Sequence, residues 1–277
     1  MKCQSLRIVA AALLVAAFTA QSRDVILATT TSTRDAGLLD TLVPVFERQS
    51  GYHVKVIAVG SGQALELGRR GDADVVLAHA PEAERVLVDS GYFARRRLVM
   101  HNDFLIVGPP GDPAGLRGMT DAVAALRRVR ERAQPFVSRG DQSGTHTLEQ
   151  KLWRLLGIGA GAPGTGSWYV EAGQGMGATL QIADEKHAYT ISDRATYLAW
   201  RDKLQLVPMV EGDTLLYNVY HVLELSPKNA PRINVAAGKA FADFLVAPAT
   251  QALIGAFGRK KFGQSLFIPD AEKPDRW

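Results

Sequence analysis

Four short segments of this chain are built for one kind of chemistry. They are Thr29-Thr30-Thr31-Ser32, Gly60-Ser61-Gly62, Ser143-Gly144-Thr145 and Gly173 to Gly177. Each follows a short apolar stretch with strand character and precedes a stretch with helical spacing. A helix start carries unpaired backbone N–H groups and the positive end of the helix dipole. Hydroxyls add rotatable donors, and glycines let the backbone come close to a ligand. Together these features bind anions. One such segment is an ordinary helix cap. Four in one chain favour a site, with Gly173 to Gly177 contributing backbone only. Arg139 follows the predicted strand Pro135–Ser138 and precedes Thr145 by six residues. Its guanidinium is permanently charged and can grip two oxygens at once, although Asp141 stands close enough to pair with it.

Other chemistries fit less well. Ser143 and His146 lie three residues apart at one helix start, and no Gly-x-Ser-x-Gly elbow occurs, so a hydrolase is not indicated. His79 and His146 have no further ligand at metal spacing, and no cofactor motif is present. No phosphate-binding loop of the ATPase type occurs. The formal charge is +4, and removing Lys2 and Arg7 leaves +2, too little to argue for nucleic acid. Arg95-Arg96-Arg97 and the Arg127 to Arg132 stretch read as solvated faces.

The elements that must position these residues alternate between strand and helix. Strands are predicted at Val25–Ala28, His53–Val59, Asp74–Ala78, Phe104–Val107, Pro135–Ser138, Ala188–Ile191 and Leu215–Leu223. Helices are predicted at Arg34–Gln49, Ala64–Arg70, Pro81–Ser90, Thr120–Arg132, Thr145–Leu156 and Asp193–Trp200. Such alternation implies a parallel sheet covered by helices on both faces. Pro44 falls inside a predicted helix, and Gly157 to Gly166 reads as a surface loop. Pro109-Pro110-Gly111 and a second crossing near residues 211–214 divide the chain into two lobes. Residues 24–106 with 214–277 form one, and residues 107–213 the other. A cleft between them is the natural ligand site.

Lys2 and Arg7 followed by the uncharged run Ile8 to Phe18 form a signal peptide over residues 1–20. Cys3, the single cysteine, lies before that run, so there is no lipoprotein anchor. The expected location is the periplasm, and the expected state a monomer.

At this level of detail the chain resembles the tungstate-binding periplasmic proteins of ABC transporters. The resemblance is carried by Ala28 to Thr33 with Gly37 to Asp40, by Gly71 to Val75 with His79-Ala80-Pro81, and by Ser138 to His146 with Glu149. It continues through Trp168-Tyr169, Gly173 to Gly177, Ala188 to Thr190 and Asp193-Arg194. It implies an α/β, two-lobed type II periplasmic binding fold, each lobe a mainly parallel sheet flanked by helices. It also implies a binding protein, not an enzyme, that hands a tetrahedral oxyanion to a membrane permease. By motif, Thr30 and Ser61 donate to the anion from one lobe, and Arg139 and Thr145 from the other. Thr31, Ser32 and Gly62 are secondary candidates. Molybdate, sulfate or phosphate in the same fold, a secreted enzyme, and a receptor-coupled sensor are the alternatives.

Overall fold

A computed structural model describes residues 24–141, 143–158, 167–227 and 232–275. The expected signal peptide and most of the Gly157 to Gly166 loop lie outside the described residues.

The first described strand lies inside a sheet. Strand β1 (Asp24–Thr30) pairs in parallel with β2 (His53–Val59) on one side and β3 (Val75–Ala78) on the other. The residues Val25, Leu27 and Ala28 of β1 are fully buried, as a strand covered on both faces demands. Helices α1 (Thr31–Asp35), α2 (Leu38–Ser50), α3 (Ser61–Arg70) and α4 (Pro81–Asp89) connect these strands. The single helix expected over Arg34–Gln49 is broken in two. Gly37 adopts φ +79°, a left-handed conformation that ends α1 and starts α2 afresh. Leu38, Leu39, Leu42 and Phe46 then form the buried stripe of α2. Pro44 lies inside this helix, and nothing in the structure gives it a role.

The sheet is mixed, where alternation alone suggested parallel strands throughout. Strand β9 (Tyr217–Leu225) enters antiparallel to β3, and β4 (Phe93–Gly108) pairs antiparallel with β9. The edge strand β10 (Ile268–Pro269) completes the order β10-β4-β9-β3-β1-β2. Strand β4 runs for 16 residues, far longer than Phe104–Val107. Of its Arg95-Arg96-Arg97 stretch, expected as a solvated face, only Arg95 is exposed. Arg96 is 9% exposed and pairs with Glu84 and Asp275, and Arg97 pairs with Glu224 and Asp243. These carboxylates come from distant parts of the chain and let a strand carry three consecutive arginines.

Beyond Asp103 the same strand changes partners. Residues Phe104–Gly108 of β4 pair with β7 (Thr190–Asp193) and β8 (Val207–Val210). Strand β5 (Phe136–Ser138) pairs in parallel with β6 (Tyr169–Glu171) and bridges to Tyr189 just before β7. Helices α5 (Ala122–Glu131), α6 (Gly144–Leu155), α7 (Met176–Glu185) and α8 (Arg194–Trp200) surround this second group. Its core contains Phe104, Ile106, Leu126, Phe136, Trp153 and Tyr189. Trp168 and Tyr169 pack against Trp153 and Phe136, as their apolar bodies suggest. Helices α9 (Val235–Val246), α10 (Pro248–Ala256) and α11 (Arg259–Phe262) return to the first group, where Phe241 and Phe244 pack against Phe46.

Candidate functional site

The strand-to-helix loops of both halves open into one cleft of about 1860 Å³. Thr30 and Thr31 line it, as do Ser61, Gly62, Arg139, Thr145, Gly175 and Gly177. Residues from all four hydroxyl- and glycine-bearing segments thus share one cavity.

Thr30 ends β1 and is buried. Its Oγ1 accepts the backbone N–H of Thr33 at 3.2 Å and lies 2.6 Å from Thr33 Oγ1. It also lies 3.1 Å from His79 Nε2. Thr31 is the first residue of α1 and is exposed. Ser32 follows it in α1, and its side chain lies outside the described atoms. Ser61 and Gly62 are the first two residues of α3, whose start has no side-chain cap. Their backbone N–H groups are among the orphan donors of a ten-residue helix.

Thr145 sits in the first turn of α6, 5% exposed. Ser143 caps this helix, its Oγ accepting the backbone N–H of His146. That contact uses the His146 backbone, not its ring. The ring lies 3.1 Å from Gln150 Nε2. Arg139 follows β5 directly. Its Nε lies 2.7 Å from Asp141 Oδ2. The pairing is one of charge, because that N–H meets no hydrogen-bond acceptor among the described residues. Arg139 therefore both lines the cleft and pairs with Asp141. Gly140, at φ +64°, makes the turn that returns Asp141 beside Arg139, and a side chain there would collide with Glu171.

A buried carboxylate fastens this half of the site. Glu149, one turn after Thr145 on α6, accepts from Ser138 Oγ at 2.7 Å, Tyr169 OH at 2.7 Å and Trp153 Nε1 at 3.1 Å. Ser138 is the neighbour of Arg139, so Glu149 ties the end of β5 to α6 and β6. Burial pushes its pKa above the ordinary carboxylate value despite these three donors.

Sequence reasoning leaves out several lining residues. Asn102, Tyr217, Asn218 and Tyr220 face the cleft from β4 and β9. Asn102 precedes the expected strand Phe104–Val107, and Tyr217, Asn218 and Tyr220 fall within the expected strand Leu215–Leu223, where no punctuation marks a site. His79 stands at the carboxyl end of β3, a position that could have flagged it, and it touches Thr30. Among the described residues no three His, Cys, Asp or Glu side chains gather as a metal site.

The PBP superfamily domain matches residues 16–249. The tungstate-binding protein TupA of Peptoclostridium acidaminophilum is 47% identical over 90% of this chain and 86% of its own length. The chain belongs to the tungstate-binding protein family of the periplasmic binding proteins. The solved structure of the family member TupA from Desulfovibrio alaskensis is 42% identical with a TM-score of 0.83, covering 90% of this chain and 99% of that one. The structure of the tungstate ABC transporter from Geobacter sulfurreducens matches at 42% identity and a TM-score of 0.70, over 84% and 98% of the two chains. Family membership accounts for the two-lobed α/β architecture and for a cleft that binds solute without transforming it.

Proposed function

We propose that this protein captures a tetrahedral oxyanion, tungstate, in its cleft outside the cytoplasm and delivers it to an ABC permease. The observation that carries this reading is the convergence of four donor loops and Arg139 on one cavity. A dianion is costly to bury unless its charge is met and its oxygens are filled with donors. Hydroxyls and helix-start N–H groups fill oxygens without adding charge, and Arg139 adds charge. Thr30 and Ser61 are the first-lobe donors, with Thr31, Ser32 and Gly62 beside them. Arg139 and Thr145 act from the second lobe. The first lobe comprises residues 24–106 and 214–277, and the second residues 107–213. The change of partners of β4 after Asp103 supports this division. Residues 1–20 direct export to the periplasm, and the protein acts as a monomer.

The choice of tungstate draws on the relatives whose names state that ligand. Calorimetric titration against tungstate, molybdate, sulfate and phosphate tests it. Tungstate is expected to bind first, with a dissociation constant of about a nanomolar or tighter, roughly −12 kcal/mol. Preference for phosphate would overturn the ligand and leave the anion site standing. Binding of none of the four would overturn the site.

A further inference from the structure

We propose that His79 couples anion capture to a proton: the bound oxyanion holds a proton on the His79 ring, so affinity rises as pH falls. This inference rests on the oxyanion reading above.

His79 stands where the two halves of the site meet. It follows β3 and lines the cleft. Its Nε2 lies 3.1 Å from the Thr30 hydroxyl. Its Cε1 faces the start of α6 from the opposite half, 3.6 Å from where a side chain on Gly144 would begin. Behind it lies the Tyr220 ring, 5.0 Å away between centroids. An anion held between Thr30 and the α6 start therefore has this imidazole as a neighbour.

Without a ligand the ring is neutral at pH 7. Burial lowers its pKa below the ordinary 6.5, and the Glu84 charge, a backbone hydrogen bond and a hydrogen bond that the ring donates to Asn218 only partly oppose that. The groups packed around the ring leave little room for another source of charge. Glu84 on α4 already faces Arg96 and His221. Tyr220 on β9 is kept protonated by burial. Asn218, Thr30 and Gly144 do not titrate. Arg139 shares its charge with Asp141 at 2.7 Å. Lys151 shares its own with Glu82 at 3.3 Å. Arg85, Arg154, Lys260 and Lys261 also line the cleft, but all four are exposed and screened by solvent and salt.

A dianion entering this site thus meets donors in plenty and too little positive charge. An opposite charge beside a histidine favours the protonated ring and raises its pKa. The sign follows from linkage. The free-state pKa lies below 6.5 and the bound-state pKa lies above the free one. Between them, binding takes up a proton. Affinity tightens as pH falls through the bound-state value and levels off below the free-state value.

Isothermal calorimetry with sodium tungstate in two oxyanion-free buffers of different ionisation enthalpy counts the protons taken up. The wild-type protein is expected to take up a measurable fraction of one proton at neutral pH. Its dissociation constant is expected to tighten several-fold between about pH 8 and about pH 6.5, the range a histidine governs. His79→Asn is expected to bind more weakly, without proton uptake and with a flat pH profile. His146→Asn, altered at the buried histidine of α6, is expected to keep the uptake. Tungstate binding without proton uptake, or uptake that survives in His79→Asn, overturns this proposal alone. Absence of tungstate binding in the wild type overturns the functional reading and this inference with it. If His79→Asn does not fold, the ring-proton resonance of His79 in the wild type is titrated free and loaded. An upward pKa shift on loading supports the coupling, and an unchanged value refutes it.

Discussion

Replacing Arg139 with alanine tests the charge balance of the site most directly. The side chain is 23% exposed, so its charge is partly but not wholly shielded from water. Breaking a fully buried ion pair costs about 3–5 kcal/mol, and partial exposure moves the expectation to about 3, roughly a hundredfold in affinity. The neighbour strengthens the effect. Asp141 Oδ2 lies 2.7 Å from Arg139 Nε, so the substitution also leaves a carboxylate unpaired beside a dianion. Removing the Thr145 hydroxyl takes away one neutral donor, about 1–3 kcal/mol when the anion oxygen is left unfilled. Thr30→Ala and Ser61→Ala fall in the same range. Arg139→Lys keeps the charge without the planar fork and is expected to recover only part of the loss. Tungstate calorimetry on each variant, with circular dichroism to confirm folding, ranks them. A folded Arg139→Ala protein that binds as tightly as Thr145→Ala would refute the reasoning and leave Arg139 as a partner of Asp141 only.

Four further outcomes are expected. Gly140→Ala forces a side chain into a φ of +64° and to within 2.9 Å of Glu171 Cβ. A left-handed residue alone costs about 1–2 kcal/mol, so thermal melting should fall by several degrees and tungstate affinity with it. Glu84 is fully buried; burial pushes its pKa up, but His221, the Ala80 N–H and Arg96 outweigh that and hold it below 4.5. Its stabilising effect is therefore present above about pH 4.5 and lost as pH falls through the lower folded-state value. Glu84→Gln should melt earlier at neutral pH and show a flatter acid dependence of its melting temperature. Tungstate at a hundredfold excess over its dissociation constant should stabilise the fold by about 2.7 kcal/mol, read as a rise in melting temperature. The radius of gyration from small-angle scattering should fall as the lobes close.

Local punctuation made much of this molecule legible. Gly51 and Gly71 close α2 and α3 in left-handed conformations, Pro81 opens α4, and Ser143 caps α6, all as their residue types indicate. The same punctuation exposed the donor loops, because an anion site of this kind is made of helix starts. Pairing between distant strands left no such mark. Strand β4 was legible only from Phe104, since Arg95 to Arg97 look solvated until Glu84, Glu224 and Asp243 are known to face them. Strand β8, Val207–Val210, is short and lacks alternation. Asn102, Asn218 and Tyr220 enter the site from within β4 and β9, where no local sequence signal separates a lining residue from its neighbours.

Closure depends on which contacts cross the cleft. Strand β4 runs from pairing with β9 into pairing with β7, changing partners at the Asp103 to Phe104 step, and the proposed lobes are expected to turn there. Glu82 on α4 and Lys151 on α6 meet across the cleft at 3.3 Å, but the two side chains are 85% and 49% exposed. An exposed pair of this kind is worth about 0–1 kcal/mol and weakens with salt. It cannot hold the lobes shut. In the function proposed above, the dianion engages Thr30 and Ser61 on one side and Arg139 and Thr145 on the other, and it is expected to gain all of these contacts only when both sides are present. The difference between its affinity for the closed and open forms is the free energy available for closing. On that proposal capture and closure are one equilibrium, and a permease that recognised the closed shape would read occupancy without touching the anion.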